Sequence, residues 1–276
     1  MEQKEEIIKF YVCSLIDILG QKEKLIQLDG LNSQKDKEYI NSVFKQTYGV
    51  VKKFREDMKN STDFFNELKA KNALNTSFSS NNIEIKAFSD LIISYLSLEN
   101  NQNDLKSKAI YLLLISNCEV FLNLLANGVA LRGGIDIGMA IKTEEDEIYG
   151  TALLKPYILE SKIAKSIRIV IGQELYNHIQ HVISLSEDSN KSTEYKHNVI
   201  FAKLCMKLIK QDSDGEYILD YLSDEFKKME SFQELSKKAK LFLDTQYNDL
   251  RLKSQFEIAK KYQQAIKYFE ANDIFA

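Results

Sequence analysis

The chain has 276 residues, of which 44% are hydrophobic and 28% are charged, as is ordinary for a soluble globular protein. Its formal net charge of −3 excludes a broad basic surface for nucleic acid, so an anionic ligand requires a local site or a bound metal. Three widely spaced cysteines (Cys13, Cys118 and Cys205), a charged N-terminus and short apolar runs predict a cytoplasmic protein with no membrane partner.

The first part of the chain predicts a strand, a helix and a loop. Residues 7–18 are rich in β-branched and aromatic side chains and end near Asp17, so they predict a buried strand. From about 35 to 59, apolar residues recur at three- and four-residue steps, which indicates a helix with one apolar stripe. Residues 60–82 are polar, which is typical of a loop.

The middle of the chain predicts a hairpin, a buried helix and a further strand. Residues 83–97, "IEIKAFSDLIISYLS", predict two short strands joined by a tight turn at Ser89 and Asp90. Residues 105–127 predict a mostly buried helix. Residues 129–142 alternate and are rich in glycine, which predicts a strand that another segment approaches closely.

The rest of the chain alternates helices and strands. The only proline, Pro156, predicts that the helix after Gly150 begins nearer Lys155, because proline is tolerated just inside a helix start. The later predicted elements are a strand over 167–172, a helix to about 185, a helix over 196–210, a final strand within 211–222, and one or two long helices over 223–271. Hairpins mixed with strand–helix crossovers indicate an α+β fold with a mixed sheet and helices mostly on one face.

Two acidic residues stand at the ends of predicted strands. Asp17 ends the first strand and Asp90 lies at the hairpin turn, so both carboxylates reach the same end of the sheet if these strands are neighbours. Convergent carboxylates beside strand-end carbonyls suit Mg²⁺ or Mn²⁺, and two such ions can activate a hydroxyl and neutralise a triphosphate. The alternative is that each aspartate only turns or caps the chain.

Four short motifs follow one another along the chain: "IDILG" (16–20), "FSD" (88–90), "RGGIDIG" (132–138) and "YGTALLKPYILESKIAKSIRIVI" (149–171). Their order resembles that of class III nucleotidyl cyclases, and more narrowly that of the bacterial pyrimidine cyclases of the Pycsar anti-phage systems. The resemblance covers about 9–222. It implies a cyclase-like catalytic domain over 1–222 with a ferredoxin-like, palm-type sheet, followed by a C-terminal helical extension over 223–276.

The resemblance also implies a two-ion metal centre, in a homodimer whose active sites lie at the interface. Asp17 and Asp90 would bind two Mg²⁺ or Mn²⁺ ions, helped by the carbonyl of Ile18, and Arg132 would act with them in catalysis. The ribose 3′-hydroxyl would attack the α-phosphorus and expel pyrophosphate, which yields a 3′,5′-cyclic mononucleotide. The candidate nucleotide-binding residues are Leu19, Gly20, Lys86, Ser89, Glu147 and Lys155. Lys155 follows a helix face that could reach a triphosphate, and the alternative is that this face is solvated.

The choice of base is open. The pyrimidine group implies CTP or UTP, but Lys86 and Glu147 stand where adenylate cyclases carry an adenine-reading Lys and Asp. ATP is therefore a third candidate, and the alternative is that both side chains are solvated strand-edge charges. Arg132 could likewise contact phosphate or base, or simply pair with an acid.

The sequence departs from purine cyclases at two helix positions. Leu154 and Ile158 stand where those enzymes carry Asn and Arg, and the pyrimidine group is similar in lacking both. Two other functions stay open: a palm enzyme that makes a cyclic or linear oligonucleotide signal, and a non-catalytic nucleotide sensor on the same fold. A role as an anti-phage second-messenger synthase is implied by the resemblance alone.

Overall fold

The computed structural model describes residues 8–26, 28, 37–71, 83–98, 106–144, 147–185 and 193–272. The strands are β1 (Lys9–Ile18), β2 (Glu84–Phe88), β3 (Leu91–Ser97), β4 (Leu131–Lys142), β5 (Ile148–Gly150), β6 (Ile169–Ile171), β7 (Ile209–Gln211) and β8 (Tyr217–Leu219). The helices are α1 (Gln21–Ile26), α2 (Lys37–Gln46), α3 (Tyr48–Lys71), α4 (Lys106–Ala126), α5 (Thr151–Ile158), α6 (Gln173–Ser184), α7 (Thr193–Met206), α8 (Asp224–Lys227), α9 (Phe232–Leu252) and α10 (Phe256–Glu270). A π-helical turn, Leu159–Ala164, continues α5.

The strands of these residues form one mixed sheet. Its order is β2-β3-β1-β4-β6-β8-β7, and β5 pairs with β4. The β4–β6 pairing is parallel and the other pairings are antiparallel. Strands β1 to β4, with helices before β2 and before β4, follow the βαββαβ arrangement of a ferredoxin-like fold. The predicted α+β class is therefore confirmed.

Strand β1 is covered on both faces, which explains its nearly continuous apolar sequence. On one face, Val12 joins the main hydrophobic core with α4, and the Ser14 hydroxyl donates to the Asn117 side chain at 3.0 Å. On the other face, Cys13 packs with Ala152 of α5. Helices α3, α7 and α9 pack on the outside of α4, so most helices lie on one side of the sheet.

Helix α4 is apolar around its whole circumference because it is enclosed by the sheet and other helices. It is the one helix of the described residues that is long and apolar enough to cross a membrane, yet 78% of its most apolar stretch is buried within the protein. That burial is typical of the core helix of a globular protein. The predicted C-terminal extension shares this core, since Phe232, Leu243 and Phe269 are buried in it.

The predicted helix over 35–59 and the loop after it are partly wrong. The helical segment is divided at Thr47, whose hydroxyl donates to the Val43 carbonyl at 2.9 Å. Helix α3 then continues to Lys71, through residues predicted as loop; residues 72–82 lie outside the described part. Packing explains the difference, because the Ser61 hydroxyl donates to Ser116 of α4 at 3.2 Å and so anchors a polar stretch against the core.

Two other boundaries also differ from the prediction. Helix α5 begins at Thr151 instead of near Lys155, because the Thr151 hydroxyl accepts from the Met139 N–H at 3.0 Å and fixes the first turn to β4. Helix α7 ends at Met206, and the residues predicted as its last turn form β7, a short partner for β8.

Two glycines of β4 allow helix α5 and the π-helical turn to lie against the sheet. A Cβ at Gly138 would lie 2.5 Å from the Ala152 nitrogen, and a Cβ at Gly134 would lie 2.5 Å from the Leu159 Cβ. Both distances are far below van der Waals contact, so the predicted close backbone approach is confirmed at this strand.

We expect Gly138→Ala to destabilise the protein by about 1–3 kcal/mol, because the added methyl group overlaps backbone atoms that cannot rotate away. Gly49→Ala in α3 is the matched control, since a Cβ there meets nothing within 4 Å and the substitution should stabilise the helix by up to about 1 kcal/mol. Urea unfolding of both variants tests the prediction, and equal stability of Gly138→Ala and wild type would contradict it.

Candidate functional site

Asp17 and Asp90 lie side by side at one end of the sheet. Asp17 pairs in register with Leu91, and the Ile18 N–H donates to the Asp90 carbonyl at 3.1 Å. Ser89, with a φ of 58°, forms the turn that presents Asp90 next to β1. The two predicted strand ends are therefore neighbours, which is the condition for a shared site.

Arg132 lies next to Asp17 on the other side of β1, because the β1–β4 register pairs these two residues. The Arg132 Nε–H donates to Asp17 Oδ2 at 3.2 Å, and Arg132 Nη2 lies 3.1 Å from the same oxygen. The three residues predicted as catalytic are thus together in the structure. Of the two alternatives for Arg132, its pairing with an acid is the one present here.

Glu160 also joins this group, although it is not among the predicted site residues. Its Oε1 lies 2.7 Å from Arg132 Nε, and its side chain is only 5% exposed. Glu160 belongs to the π-helical turn that packs on β4 at Gly134. The available signal was an acid inside the apolar "YILES" segment, but its partner is far away in the sequence.

Burial and neighbouring charges both act on the pKa values of the acids in this group. Burial raises the pKa of Asp17, Arg132 lowers it, and Asp90 raises it again, with a net upward shift. Burial also raises the pKa of Glu160, Arg132 lowers it, and Asp17 raises it, again with a net upward shift. The Arg132 guanidinium thus contacts two carboxylates, Asp17 and Glu160, and Asp90 adds a third negative charge to their surroundings, an arrangement that favours the binding of a further cation.

The donor set fits a hard divalent cation. Mg²⁺ and Mn²⁺ prefer carboxylate and carbonyl oxygens, the groups that Asp17, Asp90 and Ile18 carry. Within the described residues, no three His, Cys, Asp or Glu side chains form a group that could hold a metal ion. Two carboxylates still suit Mg²⁺, which is usually held by one or two of them together with water and substrate phosphates.

Leu19 and Gly20, two of the predicted nucleotide-binding residues, lie in the loop after Asp17. The Leu19 N–H donates to the Ala130 carbonyl at 3.0 Å, so this amide already has a partner. Gly20 has a φ of +79°, which favours glycine, and leads into the short helix α1. The Gln21 side chain donates to the Thr47 carbonyl at 3.4 Å and holds the start of α1 against the α2–α3 junction.

The predicted base-reading residues lie on different elements. Lys86 on β2 pairs in register with Ile93, which pairs with Leu15, so Lys86 faces the same side of the sheet as Asp17. Glu147 is exposed before β5, where its N–H donates to the Thr143 hydroxyl at 3.3 Å. Base reading by this pair stays a prediction.

Lys155 is held within the fold by β4 and α6. Its ammonium donates to the Ile137 carbonyl at 3.1 Å and pairs with Glu174 in the first turn of α6. These contacts give Lys155 a structural role, and contact with a triphosphate would require it to leave them.

An open apolar cavity of about 570 Å³ adjoins the acidic group. Two of its lining residues connect it to the aspartates, since Leu91 follows Asp90 in the chain and pairs in register with Asp17, and Leu15 lies two residues before Asp17. Leu154 and Ile158, the positions that depart from purine cyclases, are 53% and 44% exposed. The cavity is lined by Leu15, Leu91, Ile93, Tyr149, Gly150, Thr151, Leu153, Leu154 and Tyr157.

No protein-family model matches the chain, and no curated protein is significantly similar to it.

Proposed function

We propose that the chain is a cytoplasmic nucleotide cyclase that converts CTP or UTP, with ATP as a further candidate, to a 3′,5′-cyclic mononucleotide and pyrophosphate. The observation that carries the proposal is the pair of Asp17 and Asp90 at neighbouring strand ends of a ferredoxin-like sheet. The order of the four cyclase-like motifs supports it. A function as an anti-phage second-messenger synthase is proposed from that motif resemblance alone.

The residues of the site would neutralise phosphate charge and position the nucleotide. Bound Mg²⁺ or Mn²⁺ ions would supply activation of the 3′-hydroxyl and neutralisation of phosphate charge. Asp17 and Asp90 would hold these ions, and Arg132 would place a positive charge next to them for the phosphates. The adjoining cavity, walled by leucine and tyrosine side chains, would hold the nucleoside away from bulk water.

A homodimer is part of the proposal. The cavity is open on one side, and large apolar side chains lie exposed around it, with Phe88 81% and Tyr149 75% exposed. Large apolar side chains that lie exposed next to an open apolar cavity are typical of interaction sites. A second copy of the chain would close the cavity and complete the site.

A non-catalytic nucleotide sensor is the second candidate, and one observation favours it. Arg132 is bonded to Asp17 in the structure, so a metal ion must compete with an ion pair for this carboxylate. A sensor that binds a nucleotide without turnover could keep this pair intact.

Incubation of the purified protein with ATP, GTP, CTP and UTP separately, each with Mn²⁺, tests the function. We expect one pyrimidine nucleotide, or ATP, to yield a cyclic mononucleotide and pyrophosphate by mass spectrometry, and chelation of the metal to abolish the product. A linear or cyclic oligonucleotide would instead establish the palm-enzyme alternative. Nucleotide binding without any product would establish the sensor.

A further inference from the structure

We propose that Glu160 is a positioning residue that takes Arg132 from Asp17 and thereby frees Asp17 for a divalent cation. The inference rests on the proposed function, because it assigns a metal-binding role to Asp17. Glu160 lies within the fourth motif (149–171), but it is not among the site residues that the resemblance implies.

Glu160 contacts Arg132 without receiving its hydrogen bond. Its Oε1 lies 2.7 Å from Arg132 Nε, but the Nε–H is directed at Asp17 Oδ2. Among the described residues, the buried Oε1 consequently has no hydrogen-bond partner. A buried charged oxygen without a hydrogen bond is unfavourable, so Glu160 is ready to accept the guanidinium when Asp17 releases it.

An unusual stretch of backbone holds Glu160 in place. It lies in the π-helical turn after α5, a type of local structure that is rare and frequent at functional sites. The absence of a side chain at Gly134 allows this turn to approach the sheet, since a Cβ there would lie 3.2 Å from the Glu160 nitrogen. Two unusual local features thus place one carboxylate beside Arg132.

The charge of Glu160 affects where the Arg132 guanidinium lies when a metal ion binds. Binding of a divalent cation at Asp17 and Asp90 removes the reason for Arg132 to stay at Asp17, because a cation and a guanidinium compete for the same oxygen. An arginine side chain that is 23% exposed needs another acid nearby, and Glu160 is already in contact with it. Without the Glu160 charge, Arg132 would remain on Asp17 and weaken metal binding.

The test is Mn²⁺ binding, measured by electron paramagnetic resonance of free Mn²⁺ without nucleotide. We expect Glu160→Gln, which keeps the size of the side chain, to bind Mn²⁺ about tenfold more weakly than wild type. In an Arg132→Gln background, the Glu160→Gln substitution should change binding by less than about threefold, because no guanidinium competes for Asp17. Arg132→Gln alone should bind Mn²⁺ at least as tightly as wild type.

Three results would overturn the inference: unchanged Mn²⁺ affinity in Glu160→Gln, the same loss in both backgrounds, or no Mn²⁺ binding by the folded wild type. Circular dichroism of each variant shows that the fold is intact. The inference and the proposed function fail separately. If the Glu160→Gln loss of Mn²⁺ affinity depends on Arg132 but no nucleotide product forms, the cyclase proposal fails and Glu160 remains a positioning residue. If product forms but the loss does not depend on Arg132, only the role of Glu160 fails.

Discussion

Asp17→Asn is expected to lower the rate of cyclic nucleotide formation by about a thousandfold or more, because the amide is a poor ligand for the ions that neutralise phosphate charge. The free energy of unfolding should stay within about 1 kcal/mol of wild type, since the substitution removes a buried charge next to two other acids while Arg132 keeps Glu160. Initial rates at saturating Mn²⁺ and urea unfolding measure the two effects.

The value of this variant lies in separating chemistry from folding. Asp90→Asn should behave in the same way, and Asp224→Asn, at an exposed acid that pairs with Lys227 in the same helix, should leave the rate unchanged. Activity that survives both Asp17→Asn and Asp90→Asn would refute the assigned site. A large loss of stability in Asp17→Asn would instead give the aspartate a structural role.

Arg168→Met is expected to destabilise the protein by about 2–4 kcal/mol, somewhat less than the loss of one partner of a fully buried ion pair, because the Asp214 side chain is 43% exposed. The Arg168 side chain is 6% exposed and ties the π-helical turn to the loop between β7 and β8. It donates to the Ala164 carbonyl at 3.0 Å, to Asp212 at 2.5 Å and to Asp214 at 2.6 Å. The variant leaves these groups without their shared donor, and urea unfolding at neutral pH measures the loss.

Arg251→Met, at an exposed arginine of α9, is the matched control and should cost far less. The pH dependence provides a second check. The hydrogen bond from Arg168 holds the pKa of Asp214 below its ordinary value. The stabilisation of the protein by this pair is therefore complete above the pKa that Asp214 has in the unfolded chain, and it is lost as the pH falls through the lower pKa of Asp214 in the folded protein. The stability difference between wild type and Arg168→Met should narrow in acid; a difference that widens there would contradict the assigned cause.

The part of the site that rests on local pattern could be predicted from the sequence. Apolar strand runs and a hairpin turn define where Asp17 and Asp90 stand, and the structure brings them together once β1 and β3 pair. The contact of Arg132 with Glu160 could not be predicted, since it depends on how closely the π-helical turn approaches the sheet at Gly134. Periodicity identifies an element, but it does not say which distant element will touch it.

The predicted boundaries of two helices were wrong for a related reason. Local preference suggested that α5 begins near its proline, whereas a side-chain contact from Thr151 to β4 determines the first turn. Likewise, α3 extends through a polar stretch because Ser61 meets Ser116 of another helix. In both places tertiary contacts outweigh propensity, which is a weak preference for each residue.

The central position of β1 has a consequence for the synthesis of the chain. Arg132 follows Asp17 by 115 residues, which takes a ribosome roughly 6–23 s to translate. During that time one hydrogen-bonding edge of β1, an apolar strand, has no partner on the nascent chain. Unpaired edges of this kind favour aggregation, so the nascent N-terminal segment requires protection until β4 has emerged.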